Sequence, residues 1–178
     1  MRFEFDGASK GNPGHSGCGA TILVDATDTE VRGASGGGDH THPAGMCELP
    51  LAAPHPTAVA WGYQYYGSNR TNNEAEYGGA ILGLKMARRL GIQRLVVHGD
   101  SKLVIKQMQG AWKVNFPHLR VLWEQATGLL RGFEVTTLAH VYREQNLRAD
   151  ALSNMGAEDL DADEVCTLPG QLISVAFL

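Results

Sequence analysis

Four acidic residues stand where acids are ordinarily avoided. Asp6 ends the alternating segment Arg2-Phe3-Glu4-Phe5, and Asp100 ends the apolar run RLVVHG; Glu76 and Asp150 each lie in a helix-patterned segment beside apolar neighbours. If the four side chains converge, mutual repulsion and desolvation make the cluster costly unless cations fill it. An all-oxygen donor set without cysteine suits Mg²⁺ or Mn²⁺. Taken singly, each acid has an ordinary reading. Asp6 would be a turn former, Asp100 an N-cap, Glu76 a helix-face acid and Asp150 a solvated one. Specificity has to come from their neighbours.

The elements that must carry these residues are legible from periodicity. Residues 2–6 alternate as a strand, Gly7 to Gly17 is a turn rich in Gly, Asn and Pro, and Cys18–Val24 reads as the second strand of a hairpin. A third strand is expected within Val59–Tyr66, with Trp61, Tyr63 and Tyr65 on one face. Thr71-Asn72-Asn73-Glu74 is a capping-box pattern opening a helix that carries Tyr77, Ile81 and Leu84 and stops at Gly91. Arg94–His98 is an apolar strand, followed at once by a helix (SKLVIKQMQ) that Asp100 is placed to cap. Pro117 opens another helix to about Leu130, Phe133–Tyr142 is a strand, and Asn146–Met155 is a last helix. This succession predicts an α/β domain: a mixed five-stranded sheet, three strands antiparallel and two further strands parallel, covered by helices.

Composition excludes several classes. Of 178 residues, 43% are hydrophobic and 19% charged, as in ordinary soluble domains. No apolar run approaches the ~20 residues of a membrane span, and MRFEFDG does not resemble a secretory signal, so a cytoplasmic location is expected. Cys18, Cys47 and Cys166 are widely spaced, without a C-x-x-C pair, and fit neither a disulfide framework nor a thiolate zinc site. A net charge of −4 implies modest, salt-sensitive grip on any phosphate backbone.

The stretches around the four acids are more specific than the acids themselves. Asp6-Gly7-Ala8-Ser9-Lys10-Gly11-Asn12-Pro13-Gly14, Thr71-Asn72-Asn73-Glu74-Ala75-Glu76, Gly99-Asp100-Ser101 and His140-Val141-Tyr142-Arg143-Glu144-Gln145-Asn146 with Ala149-Asp150 occur in that order between Met1 and about Gly156. Together they resemble the successive motifs of type 1 ribonuclease H. The resemblance implies an endonuclease that hydrolyses the RNA strand of an RNA–DNA hybrid and leaves 5′-phosphate and 3′-hydroxyl ends. Asp6, Glu76, Asp100 and Asp150 match the metal-binding carboxylates. The implied cofactor is two Mg²⁺ ions, with Mn²⁺ as substitute, one between Asp6, Asp100 and Asp150 and the other between Asp6 and Glu76. Glu74 keeps the capping role. His140 matches a histidine that shuttles protons or helps product leave; a packed strand histidine is the alternative. Ser9, Lys10, Asn12, Arg70, Thr71, Asn72 and Asn146 match positions near substrate. Asn12 and Asn72 would read the 2′-hydroxyl, and Arg70 and Thr71 would grip DNA phosphates.

Some features depart from the family pattern. Gln107 passes through Gly110-Ala111-Trp112-Lys113 to Pro117 with almost no insertion, so the basic protrusion of some relatives is missing. No N-terminal hybrid-binding module is expected, since the first strand begins at the first residues. Weak substrate binding and low processivity follow, with Trp112 and Lys113 as a small substitute contact or Trp112 as core. Residues 1–157 are expected to form the domain, with a flexible insertion at about 33–56. Its Asp39, His40, His42, Cys47 and His55 match no metal-ligand spacing. Residues 158–178 read as a tail: the acids Glu158, Asp159, Asp161, Asp163 and Glu164 as a solvated linker, then the apolar Leu172–Leu178. A monomer without membrane or obligate protein partner is expected. Two rival readings stay open: a non-catalytic nucleic-acid-binding module, which should lack one of the carboxylates, and a related enzyme with another substrate, either a nuclease or transposase-like enzyme acting on DNA or a fragment of a reverse transcriptase polyprotein.

Overall fold

The computed structural model describes residues 1–24 and 58–167. The expected insertion at 33–56 and the apolar Leu172–Leu178 lie outside the described residues. Strands β1 (Arg2–Gly11), β2 (Gly14–Leu23) and β3 (Ala58–Arg70) lead into helix α1 (Asn72–Arg89). They are followed by β4 (Arg94–Gly99), α2 (Lys102–Met108), α3 (Pro117–Leu130), β5 (Val135–His140), α4 (Leu147–Glu158) and β6 (Asp163–Thr167). The sheet runs β5-β4-β1-β2-β3-β6. β1, β2 and β3 form an antiparallel meander, while β4 and β5 join β1 in parallel. The expected mixed α/β sheet is present, with one strand more than expected.

The sixth strand corrects the reading of the acidic tail. Asp163 and Glu164 belong to β6, antiparallel to β3, with Tyr63 opposite Glu164 and Gln64 opposite Asp163. The Tyr63 hydroxyl donates to Glu164 Oε2 (2.6 Å) and Gln64 Nε2 to Asp163 Oδ1 (2.9 Å). Cross-strand pairs of this kind turn an acidic linker into an edge strand, and edge strands tolerate charge. A second difference is β3 itself, which runs on past Tyr66 to Arg70. Its partner β2 begins at Gly14, opposite Arg70, and pairing across the register shifts absorbs the turn-like Gly67 and Asn69, both at positive φ.

Helices cover both faces. On one, α1 closes Phe3, Phe5, Ala20 and Ile22 under Tyr77, Ile81 and Leu84, all buried, and each such large side chain contributes about 1.5–3 kcal/mol. On the other, Leu152 of α4 packs with Trp61, Tyr63, Ala162 and Cys166, and Tyr65 joins them, so the expected aromatic face of β3 is present. Gln107 of α2, also buried, ties the α1 face to α2 and α3. It accepts from the Tyr77 hydroxyl (2.8 Å), donates to Lys113 O (3.0 Å), and its carbonyl accepts from Trp123 Nε1 (3.0 Å). None of the described helices is long and apolar enough to cross a membrane.

The start of α1 rests directly on β1. A Cβ added at Gly7 would fall 2.1 Å from Ala75 C and Glu76 N, so only glycine allows this approach. Gly7→Ala should therefore lower stability by about 2 kcal/mol. The melting temperature measured by circular dichroism should fall by roughly 4–8 °C. An unchanged melting temperature would show that the helix start can shift freely.

Candidate active site

The acids reach a common pocket from three directions. Asp6 projects from β1 toward the α4 side, in register with Gly19 of β2. Asp100 follows β4. The expected cap of α2 is corrected here: Ser101 caps the helix, its hydroxyl accepting from Val104 N (3.5 Å), which leaves the Asp100 carboxylate for the pocket. Glu76 enters from the first turns of α1. That helix begins with the expected capping box, Glu74 N donating to Thr71 Oγ1 (3.3 Å) and Thr71 N to Glu74 Oε2 (2.9 Å). One carboxylate oxygen from each of Asp6, Glu76 and Asp100 lies within 4.8 Å of the others.

Asp150 stands beside this trio rather than in it. It sits in the first turn of α4, and its carboxylate is held by the guanidinium of Arg143, a contact that no local sequence pattern marks. Asp150 still acts on the pocket, since its charge helps to raise Asp6.

Burial and like charge set the electrostatics. Burial, reinforced by Asp100 and Asp150 and opposed by a hydrogen bond from Ser153, pushes the Asp6 carboxyl up to about 7. Burial and the charges of Asp6 and Asp100 hold Glu76 well above the usual carboxylate range. The buried Glu76 Oε2 has no hydrogen-bond partner. A buried acceptor left unpaired beside two other carboxylates is what a cation site provides for its ligand, and the donor set fits a hard divalent ion.

The remaining expected residues divide into two groups. Asn146 is fully buried, with Nδ2 donating to Phe5 O (2.8 Å) and Asp100 Oδ1 (3.0 Å). It orients Asp100 from behind and offers no surface to a substrate, which corrects the expected role. None of the others is buried. Asn12 Oδ1 accepts from Asn72 N (3.2 Å), completing the start of α1, and Asn72 Nδ2 lies 3.5 Å from Glu76 Oε1. Arg70 pairs with Glu74 (3.1 Å) and lies over the Tyr66 ring. The Ser9 hydroxyl donates to Arg70 O (3.0 Å). Lys10 reaches Asn154 and Glu158 of α4, both at 3.1 Å. His140 is exposed, its Nε2 3.1 Å from Asp100 O, so the packed-histidine alternative does not hold. Trp112 is 47% exposed and is not core. Ser153 was missed altogether: its Oγ donates to Asp6 Oδ2 (2.6 Å) across a sequence separation that no local pattern reveals.

The raised acids carry a signed consequence. A carboxyl whose folded pKa lies above its unfolded value leaves the folded state holding the extra proton. Stability is then fully present below the unfolded value, ~4, and is lost as pH rises through about 7. Without divalent ions, Asp6→Asn should therefore melt higher than wild type at pH 8, with the gap shrinking toward pH 4. Thermal melts in EDTA across that range check it, and a gap independent of pH would contradict the assignment.

Comparison with known proteins agrees with this geometry. Residues 54–156 match the family model described as reverse transcriptase-like. The chain is 37% identical over 155 residues to Ribonuclease HI of Halobacterium salinarum, covering 87% of this chain and 63% of that protein. It is also 37% identical over 151 residues to the bifunctional protein Rv2228c of Mycobacterium tuberculosis, covering 85% and 34%. It thus spans less than two thirds of the length of either relative. Among solved structures, the N-terminal RNase H domain of Rv2228c superposes with a TM-score of 0.69 at 36% identity, covering 88% of this chain and 92% of that one. RNase H1 of H. salinarum gives 0.69 at 34%, covering 89% and 97%. LC11-RNase H1 in complex with an RNA/DNA hybrid gives 0.67 at 25%, covering 88% and 96%. The strand order, the motifs in sequence and these similarities agree: the chain belongs to the type 1 ribonuclease H family.

Proposed function

We propose that this protein is an endoribonuclease that hydrolyses the RNA strand of RNA–DNA hybrids, leaving 5′-phosphate and 3′-hydroxyl ends. The observation that carries the reading is the trio Asp6, Glu76 and Asp100, borne on three elements and converging within 4.8 Å. Two of its carboxylates are raised and one oxygen is orphaned. Two Mg²⁺ ions, with Mn²⁺ as substitute, would be held by these three and by Asp150 once it leaves Arg143. When bound, such ions supply a water activated at neutral pH and stabilise the departing 3′ oxygen.

The chain's own groups do the rest. Asn146 ties Asp100 to the Phe5 carbonyl of β1, and the capping box holds Glu76 at the start of α1. His140, exposed at the rim beside the Asp100 backbone, is placed to carry a proton or to help product leave. Arg143 gives the acidic pocket a cation next to Asp150. Asn12 and Asn72 are exposed and partly exposed where RNA would lie, and each amide both donates and accepts, as a 2′-hydroxyl does. The Ser9–Lys10 segment of the hairpin follows the RNA strand. Arg70 and Thr71, with exposed Trp112 and Lys113 on the α2–α3 connection, supply a modest grip on DNA. With a net charge of −4, binding is weak and salt-sensitive. The protein acts as a monomer on this reading.

The LC11 relative was solved with an RNA/DNA hybrid, which supports the substrate class. Incubation with Mg²⁺ and matched hybrid, double-stranded DNA and double-stranded RNA tests it. Hybrid RNA should be cut and the two other duplexes spared; equal cleavage of duplex DNA would favour the DNA-nuclease reading. Asp6→Asn, Glu76→Gln and Asp100→Asn should each abolish turnover while circular dichroism shows an intact fold. Full activity in any of them would overturn the roles assigned.

A further inference from the structure

We propose that Ser153 is a positioning residue that fixes the Asp6 carboxylate and thereby sets the affinity of the site for divalent cations. The inference rests on the reading of the acidic trio as a metal site. Ser153 is fully buried on α4, one turn after Asp150, and its hydroxyl donates to Asp6 Oδ2 at 2.6 Å, the short distance of a charge-assisted bond. A hydroxyl has a single proton, and Ser153 Oγ also lies 2.9 Å from Asp150 O. The carboxylate is the nearer and the stronger acceptor of the two, so the Ser153 proton goes to Asp6.

The backbone around this contact is built for it. A Cβ on Gly19, the β2 partner of Asp6, would lie 2.5 Å from both Leu152 Cβ and Ser153 N. The bare glycine lets α4 settle onto the sheet until Ser153 reaches Asp6. Each of the three trio carboxylates then has one neutral side-chain donor: Ser153 for Asp6, Asn146 for Asp100 (3.0 Å) and, more distantly, Asn72 for Glu76 (3.5 Å). A neutral donor fixes a carboxylate without neutralising it, and a carboxylate has about four lone-pair sites, so those not used by the hydroxyl stay open to a cation. A cationic partner in the same place would compete with the ion.

Calorimetric titration of the metal-free protein with Mn²⁺, without substrate, tests the proposal. Ser153→Ala should bind Mn²⁺ about tenfold more weakly, ~1.4 kcal/mol, while melting in EDTA within a few degrees of wild type. In turnover, the Mn²⁺ requirement should rise with the KM for hybrid unchanged, and excess Mn²⁺ should restore kcat. Ser153→Cys keeps the shape with a weaker donor; it should bind with intermediate affinity, and it decides the matter if the alanine variant fails to fold. Wild-type Mn²⁺ affinity in whichever variant folds would overturn the role of Ser153, whatever its melting temperature. Absence of Mn²⁺ binding by the wild type would instead overturn the metal reading itself.

Discussion

Three carboxylates held within 4.8 Å of each other in a largely buried pocket repel one another and resist desolvation, and the rest of the architecture exists to hold them there. A loose chain would relieve the strain by turning one acid toward water. This one does not, because each acid is fastened to a different rigid element: Asp6 to the central strand, Asp100 to the end of its parallel neighbour, and Glu76 to the first turns of a capped helix. The folding energy of the two apolar layers on either face of the sheet is set against the local cost of the pocket.

Close approach of backbones is the means. α1 sits on Gly7 and α4 on Gly19, so both helices come nearer the sheet than side chains would allow. The nearness brings Glu76 and Ser153 to opposite sides of Asp6. The donors that then reach the acids are neutral, so the pocket keeps its negative charge for a hard cation. The cationic contact to a site acid, Arg143 on Asp150, falls on the acid that lies outside the trio.

The surface around the pocket is modest by contrast. The residues at its rim are largely occupied with one another, Arg70 with Glu74, Lys10 with Glu158 and Asn12 with the start of α1. On the proposed function, a net-acidic protein gains little from phosphate contacts, and discrimination would rest on short polar groups. Trp112 and Phe116, both exposed, add apolar area on the short α2–α3 connection.

By itself the sequence determined the order and type of most elements, the aromatic face of β3 and the capping box at Thr71, because hydrophobic period and capping chemistry are local. It also marked the four acids, since their motifs are contiguous along the chain. Tertiary structure alone decided the sixth strand, because Asp163 and Glu164 look like a solvated run until Tyr63 and Gln64 stand opposite them. It decided that Asn146 lies behind Asp100 rather than at a substrate surface, and that Ser101, not Asp100, caps α2. Ser153 belongs with these. A serine inside an apolar helix segment carries no local signal, and its role arises only when packing against Gly19 brings it to a carboxylate 147 residues away. Local pattern reports what a segment prefers, whereas the direction a side chain faces and the partner it meets are fixed only when distant segments pack.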